Sequence, residues 1–140
     1  MTRTSSKVLV IPYWRGASGP VEYAVFRKGE HYWQGIAGGV EAGESLLDAA
    51  RREAMEEGGI SADSDFSAPD AVSAFRFEDR LITQYAFAVE LKHRDIRLSE
   101  EHSEYRWLNY DDAWRTLRWE GDRAALTELN ARLTSGMRRH

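Results

Sequence analysis

The sequence predicts a mixed α/β (α+β) fold in which a mixed β-sheet lies between helices. Three observations predict it. Several segments have the β-branched, aromatic and alternating character of strands. One segment, 45–57, has helical composition throughout. Strands and helices also follow one another without the regular βα alternation of a doubly wound fold. At 140 residues the chain is expected to form one domain, 1–140, long enough to bury a core.

Taken in order, "KVLVIPYW" (7–14) and "VEYAVFRK" (21–28) read as strands joined through the turn-rich "RGASGP" into a hairpin. "HYWQGIAGGVEAGES" (31–45) reads as loop or very short strand. "SLLDAARREAMEE" (45–57) has no β-branched residue and is rich in Ala, Leu, Arg and Glu, a helix. Ser45 with Asp48 resembles a capping box, with Asp in place of the usual Glu or Gln, and Gly58-Gly59 supply the stop. "SADSDFSAPD" (61–70) reads as a loop, followed by strands at 71–78 and 82–91 and a short one at 105–109. "DDAWRTL" (111–117) and "DRAALTELNARL" (122–133) read as helices, the second with Asp122 as N-cap. "SGMRRH" (135–140) reads as a frayed tail, and Trp107, Trp114 and Trp119 are expected in the core.

Composition narrows the class. Apolar residues make up 42% and charged residues 30%, as in an ordinary soluble globular protein. The net charge of −4 argues against a chain whose task is coating nucleic acid. There is no cysteine, so disulfides and thiolate metal sites are excluded. The first apolar run is short and interrupted by Pro12, supporting neither a signal peptide nor a membrane span; cytoplasmic residence is the expectation.

The helix poses an electrostatic problem. Glu56 sits about 60° to one side of Glu53 and Glu57 about 40° to the other, so three carboxylates crowd within about 100° of circumference. Like charges at helical neighbour spacing are mildly destabilising. Leu47, Ala50 and Ala54 form a narrow stripe of packing residues with Glu57 beside it, placing the carboxylates at the edge of a buried contact. Two compensations fit. Asp48–Arg52 and Arg52–Glu56 pairs would make a salt-bridged exposed surface. A divalent cation would cancel the repulsion, since Mg²⁺ takes oxygen ligands, typically a few carboxylates plus substrate phosphates.

The flanks of the helix add a pattern. Gly38, five residues, Glu44, seven residues and then "REAMEEGGI" resembles the signature of the Nudix hydrolases over 38–60. Gly38, Glu44, Arg52, Glu53, Glu56, Glu57 and Gly59 all match; at roughly 5–7% usage per residue type, chance gives on the order of 10⁻⁸ per register. Ala54 stands where a larger apolar residue is common, in keeping with close packing. The resemblance implies an α/β/α sandwich with a mixed sheet and a catalytic loop–helix–loop. It implies hydrolysis of a nucleoside diphosphate linked to another group, with Mg²⁺ or sometimes Mn²⁺. Glu53, Glu56 and Glu57 then correspond to metal ligands, joined by the Gly38 carbonyl. Arg52 would orient the carboxylates, Glu44 would brace the loop, and Glu53 is a candidate base.

"YWQGIAGGVEAGES" and "EEHSEYRWLNYDDAW" further resemble the dihydroneopterin triphosphate pyrophosphohydrolase branch through Trp33-Gln34 and through Glu101-His102, Tyr105 and Trp107-Leu108. By this resemblance Glu101 is an additional metal ligand or base, and Arg27 matches a phosphate-contacting position. Lys28 can act on phosphate as a point charge, or both cations simply face water. Trp33 stacks on a base or packs under the loop, and Gln34 reads a base edge or caps a turn. Arg76 has the same ambiguity as Arg27. His102 reads as a hydrogen-bonded structural histidine, because Mg²⁺ prefers oxygen.

The expected activity is hydrolysis of a small nucleoside-triphosphate-like substrate to monophosphate and pyrophosphate, in the narrower form dihydroneopterin triphosphate with dATP as a second substrate. The alternatives are a dinucleoside polyphosphate hydrolase, which would release a nucleoside triphosphate and need an extra cleft for the second nucleoside, and a general nucleotide-pool cleaner. No feature specific to ADP-ribose stands out. A non-catalytic sensing domain typically loses members of the glutamate cluster, and all are present. Neither nucleic acid nor membrane is an expected partner; a monomer and a homodimer fit equally.

Overall fold

The computed structural model describes residues 3–16, 19–68 and 71–137. Their elements are β1 (Arg3–Arg15), β2 (Val21–Lys28), β3 (Tyr32–Gln34), β4 (Ile36–Gly39), α1 (Leu46–Gly58), β5 (Asp65–Ser67), β6 (Val72–Phe77), β7 (Arg80–Leu91), β8 (Glu104–Leu108), α2 (Tyr110–Thr116) and α3 (Glu120–Met137).

Two long strands form the centre: β1 and β7 run parallel from Arg3↔Arg80 to Trp14↔Leu91. The other edge of β1 is shared, with β4 along Lys7–Val10 and β2 along Tyr13–Arg15. The other edge of β7 is shared in the same way by β6 and β5. β2 carries β3 on one edge and β8 on the other. All of these remaining pairings are antiparallel, so the sheet is mixed.

The apolar run in β1 is continuous because both of its faces are covered. Val8 and Val10 pack with Ala49, Ala50 and Ala54 of α1. Leu9, Ile11 and Tyr13 pack on the opposite side with Ala113 of α2 and with Ala125, Leu126 and Leu129 of α3. Alternation along one strand thus builds two cores and puts helices on both faces. The Ser45 hydroxyl accepts the Asp48 N–H at 3.0 Å, capping α1. At the other end Gly59 adopts a left-handed φ of 65°, and the Gly59 and Ile60 N–H groups close on the Met55 and Ala54 carbonyls.

Four expectations are corrected. The stretch 61–70 is not all loop: Asp65–Ser67 pairs with β7 although three residues are too few to show a strand pattern, because the open edge of β7 supplies the hydrogen bonds and Phe66 packs on the core. Helix α3 runs through Met137, so the first residues of the expected tail are helical, while 138–140 lie outside the described residues. Trp114 and Trp119 are not core residues but stand 39% and 42% exposed: the Arg123 guanidinium covers Trp114, and Trp119 lies between the Arg118 guanidinium and the edge-on ring of Tyr32. Trp107 is half-buried and donates its indole N–H to the Arg94 carbonyl at 3.0 Å.

The fourth concerns Asp122. It is not an N-cap, since α3 begins at Glu120. It is buried and accepts the Gly35 N–H at 3.0 Å, holding the break between β3 and β4. Burial pushes its carboxyl up to about 6, against the opposing pull of the Gly35 N–H and the Gln84 amide. A carboxyl with a raised folded-state pKa stabilises below its unfolded pKa and loses that contribution as pH climbs through the folded value. Relative to Asp122→Asn, the native protein is therefore expected to lose about 3 kcal/mol between pH 3 and 7, read from urea midpoints. A constant difference across that range would contradict the assignment.

Candidate active site

Helix α1 buries Ala49, Ala50, Glu53, Ala54, Glu57 and Gly58. Glu53 and Glu57 thus sit within the packed face rather than at its edge, and Glu56 alone of the three is exposed. The reason lies beneath the helix. A Cβ on Gly38 of β4 would overlap the Glu53 carboxyl group, so the missing side chain is what admits that carboxylate.

Arg52 organises the rim. Its Nε and Nη2 donate to both oxygens of Glu44, at 2.8 and 3.0 Å, and Nη2 also donates to the Gly39 carbonyl at 2.9 Å. Nη1 donates to Glu53 Oε1 at 2.8 Å and reaches Glu56 Oε2 at 3.5 Å. One guanidinium therefore ties the loop to the helix and sets two carboxylates. Glu44 is held down to about 2, first by Arg52 and then by the Glu41 N–H.

Glu57 has the opposite environment. Both of its oxygens are buried and none of the described donors reaches them. Burial first, then the neighbouring Glu53 and Glu101 carboxylates, push its carboxyl up to about 10. Beside it lies buried His102, whose Nε2 is 3.3 Å from the Gln34 amide nitrogen. That nitrogen can only donate, which puts the ring proton on Nδ1, 3.5 Å from Glu57 Oε1. Burial lowers the His102 pKa and keeps the ring neutral. Glu101 pairs with Lys28 at 3.2 Å. The loop bearing it is anchored to the end of β2 by Ser103, whose N–H donates to the Arg27 carbonyl and whose hydroxyl donates to that of Gly29.

Register sorts the remaining sequence-predicted residues by face. Gln34 opposes Phe26, which packs against α1, and Lys28 follows in the same alternation; both join the glutamate side. Arg27 and Trp33 oppose one another and project from the other face. There Trp33 lies under the Arg106 guanidinium at 4.8 Å, packed against the α2–α3 core, and Arg27 pairs with Glu104 at 3.6 Å. Arg76 is exposed on β6, separated from β4 by β7 and β1. Sequence reasoning missed Ser103 and Asp122 as positioning groups, since neither carries a local signal for contacts more than seventy residues away.

A mixed sheet between helices thus presents an arginine-braced carboxylate cluster on a loop–helix–loop, the architecture of the Nudix hydrolases. The chain belongs to the Nudix family: residues 19–129 match the NUDIX domain. It is a pyrophosphohydrolase of that family. It is 37% identical over 108 residues, 71% of each chain, to the rat (Rattus norvegicus) bis(5'-nucleosyl)-tetraphosphatase [asymmetrical]. A Listeria monocytogenes protein assigned to the NUDIX hydrolases superposes with a TM-score of 0.83 at 31% identity, covering 93% of this chain and 94% of that one. The Escherichia coli dihydroneopterin triphosphate pyrophosphohydrolase shares the fold, with a TM-score of 0.80 at 21% identity, covering 94% and 99%. Among the described residues no helix is long and apolar enough to cross a membrane.

Proposed function

We propose that this Nudix enzyme is a Mg²⁺-dependent hydrolase that cleaves dinucleoside tetraphosphates asymmetrically. The substrate rests on the 37% identity to the rat tetraphosphatase. The chemistry rests on one observation: Glu57 is buried against Glu53, and among the described residues no donor comes closer to its oxygens than the His102 Nδ1 at 3.5 Å. Carboxylates forced together out of water call for a positive counter-charge, and an all-oxygen donor set suits Mg²⁺, with Mn²⁺ acceptable. Glu53, Glu56, Glu57 and the Gly38 carbonyl would hold the ion, with Glu101 as a further ligand. Among the described residues no three such side chains already stand as a closed cage, and Glu56 is drawn towards Arg52. Bound there, the ion would neutralise charge on the pyrophosphate and lower the pKa of the attacking water. Arg52 fixes the Glu53 carboxylate to accept the water proton. Lys28 would set a point charge against the phosphate chain. From the opposite face, Arg27 and Trp33 would act on substrate only as it reaches around the β3 end.

A second reading, dihydroneopterin triphosphate, is favoured by the Gln34–His102 contact, which joins the two motifs that resemble that branch. Incubation with Mg²⁺ and, separately, diadenosine tetraphosphate, dihydroneopterin triphosphate, the dNTPs and ADP-ribose, with products identified by mass, separates the readings. ATP and AMP from the dinucleotide, abolished by EDTA, are the expected result. Pyrophosphate released from the pterin far faster than any cleavage of the dinucleotide would select the second reading.

A further inference from the structure

Between the outer side of α1 and the segment following β7 lies a cleft of about 530 Å³, within the range of ligand pockets. Met55 and Glu56 of α1 line it together with His93, Asp95, Ile96, Arg97 and Leu98. Met55 is 48% exposed, a thioether left uncovered on an otherwise well-packed helix. The far wall is pinned rather than loose. The Arg97 N–H donates to the Gly58 carbonyl at 2.9 Å, and a Cβ on Gly59 would stand only 2.8 Å from that of Arg97. The cleft is thus preformed, which lowers the ordering cost of binding.

Its chemistry suits a nucleoside: apolar groups for the face of a ring, the Asp95 carboxylate for sugar hydroxyls and the Arg97 guanidinium for phosphate oxygens, with His93 held by the Asp95 N–H, which its Nδ1 accepts at 3.1 Å. Glu56 belongs both to this lining and to the glutamate cluster. A phosphate chain crossing Glu56 therefore leads from the reacting centre directly into the cleft. We propose that the cleft receives the second nucleoside of a dinucleoside polyphosphate, with Met55, Ile96 and Leu98 against the base and Arg97 beside the phosphates. This rests on the dinucleotide reading given above. A substrate with one nucleoside leaves the cleft empty.

Diadenosine tetraphosphate and adenosine 5'-tetraphosphate carry the same phosphate chain and differ by the second nucleoside. Met55→Gln, a polar side chain of similar length at an exposed helical position, and Arg97→Gln, which keeps the backbone bond to Gly58, are the variants. Each is expected to raise KM for the dinucleotide about five- to tenfold, with KM for adenosine tetraphosphate and both kcat values within about twofold of native. An equal change on both substrates, or none on either, overturns the cleft assignment while leaving the dinucleotide reading standing. Failure of the native protein to hydrolyse diadenosine tetraphosphate overturns that reading first, and the cleft assignment with it.

Discussion

Glu53→Gln is expected to lower turnover by about 10³-fold or more while leaving the thermal midpoint unchanged or slightly raised. The two effects have separate causes. The glutamine keeps an oxygen for the Arg52 Nη1 bond, and Arg52 keeps both of its bonds to Glu44, so loop and helix stay tied. What is lost is the negative charge that would accept the proton and help to hold a cation. Stability gains instead, because a charge set against buried Glu57 disappears and the Glu57 carboxyl relaxes downward from about 10. Steady-state kinetics with a melting curve on the same sample test both halves. A variant that turns over at the native rate would remove Glu53 from the catalytic assignment.

Gly38→Ala is expected to cost about 10²-fold in kcat/KM and no more than a few degrees in thermal midpoint. Gly38 is not among the described glycines with positive φ, so alanine meets no backbone strain there. The added methyl would overlap the carboxyl end of Glu53, the far end of a flexible side chain. That end can swing away cheaply in energy, leaving helix packing intact, but the group that moves is the one placed for catalysis. The Arg52–Glu53 bond of 2.8 Å would be broken or redirected. A large loss of stability would show that the helix, not the side chain, had been displaced; full activity would show that the close approach to β4 is not needed.

Much of the site was legible because its pattern is local. The spacing from Gly38 to Gly59 fits a loop, a capped helix and a left-handed stop, and each of these follows from residue type at short range. The roles of Arg52 and Glu44 came only with the family resemblance, and that the two bind each other, eight residues apart, was decided by the fold. Aromatic residues were the weak point. Trp114 and Trp119 carry the composition of core residues, yet both stay part-exposed under arginine side chains, Trp119 with Tyr32 beside it, and nothing local distinguishes those coverings.

By itself, the sequence determined the strands of both cores, the carboxylate helix and the family, since periodicity and fixed spacing survive without knowledge of partners. Tertiary structure decided which glutamates are buried, because that depends on β4 arriving beneath α1 with a glycine at the contact. It also decided that Lys28 and Gln34 share a face with them while Arg27 and Trp33 do not, through the register of β2 against β3. The cleft beyond Glu56 exists only because residues 93–98 fold back onto a helix that ended about forty positions earlier. Long-range contacts of this kind leave no periodic trace, since the chain between them is free to be almost anything that closes the loop.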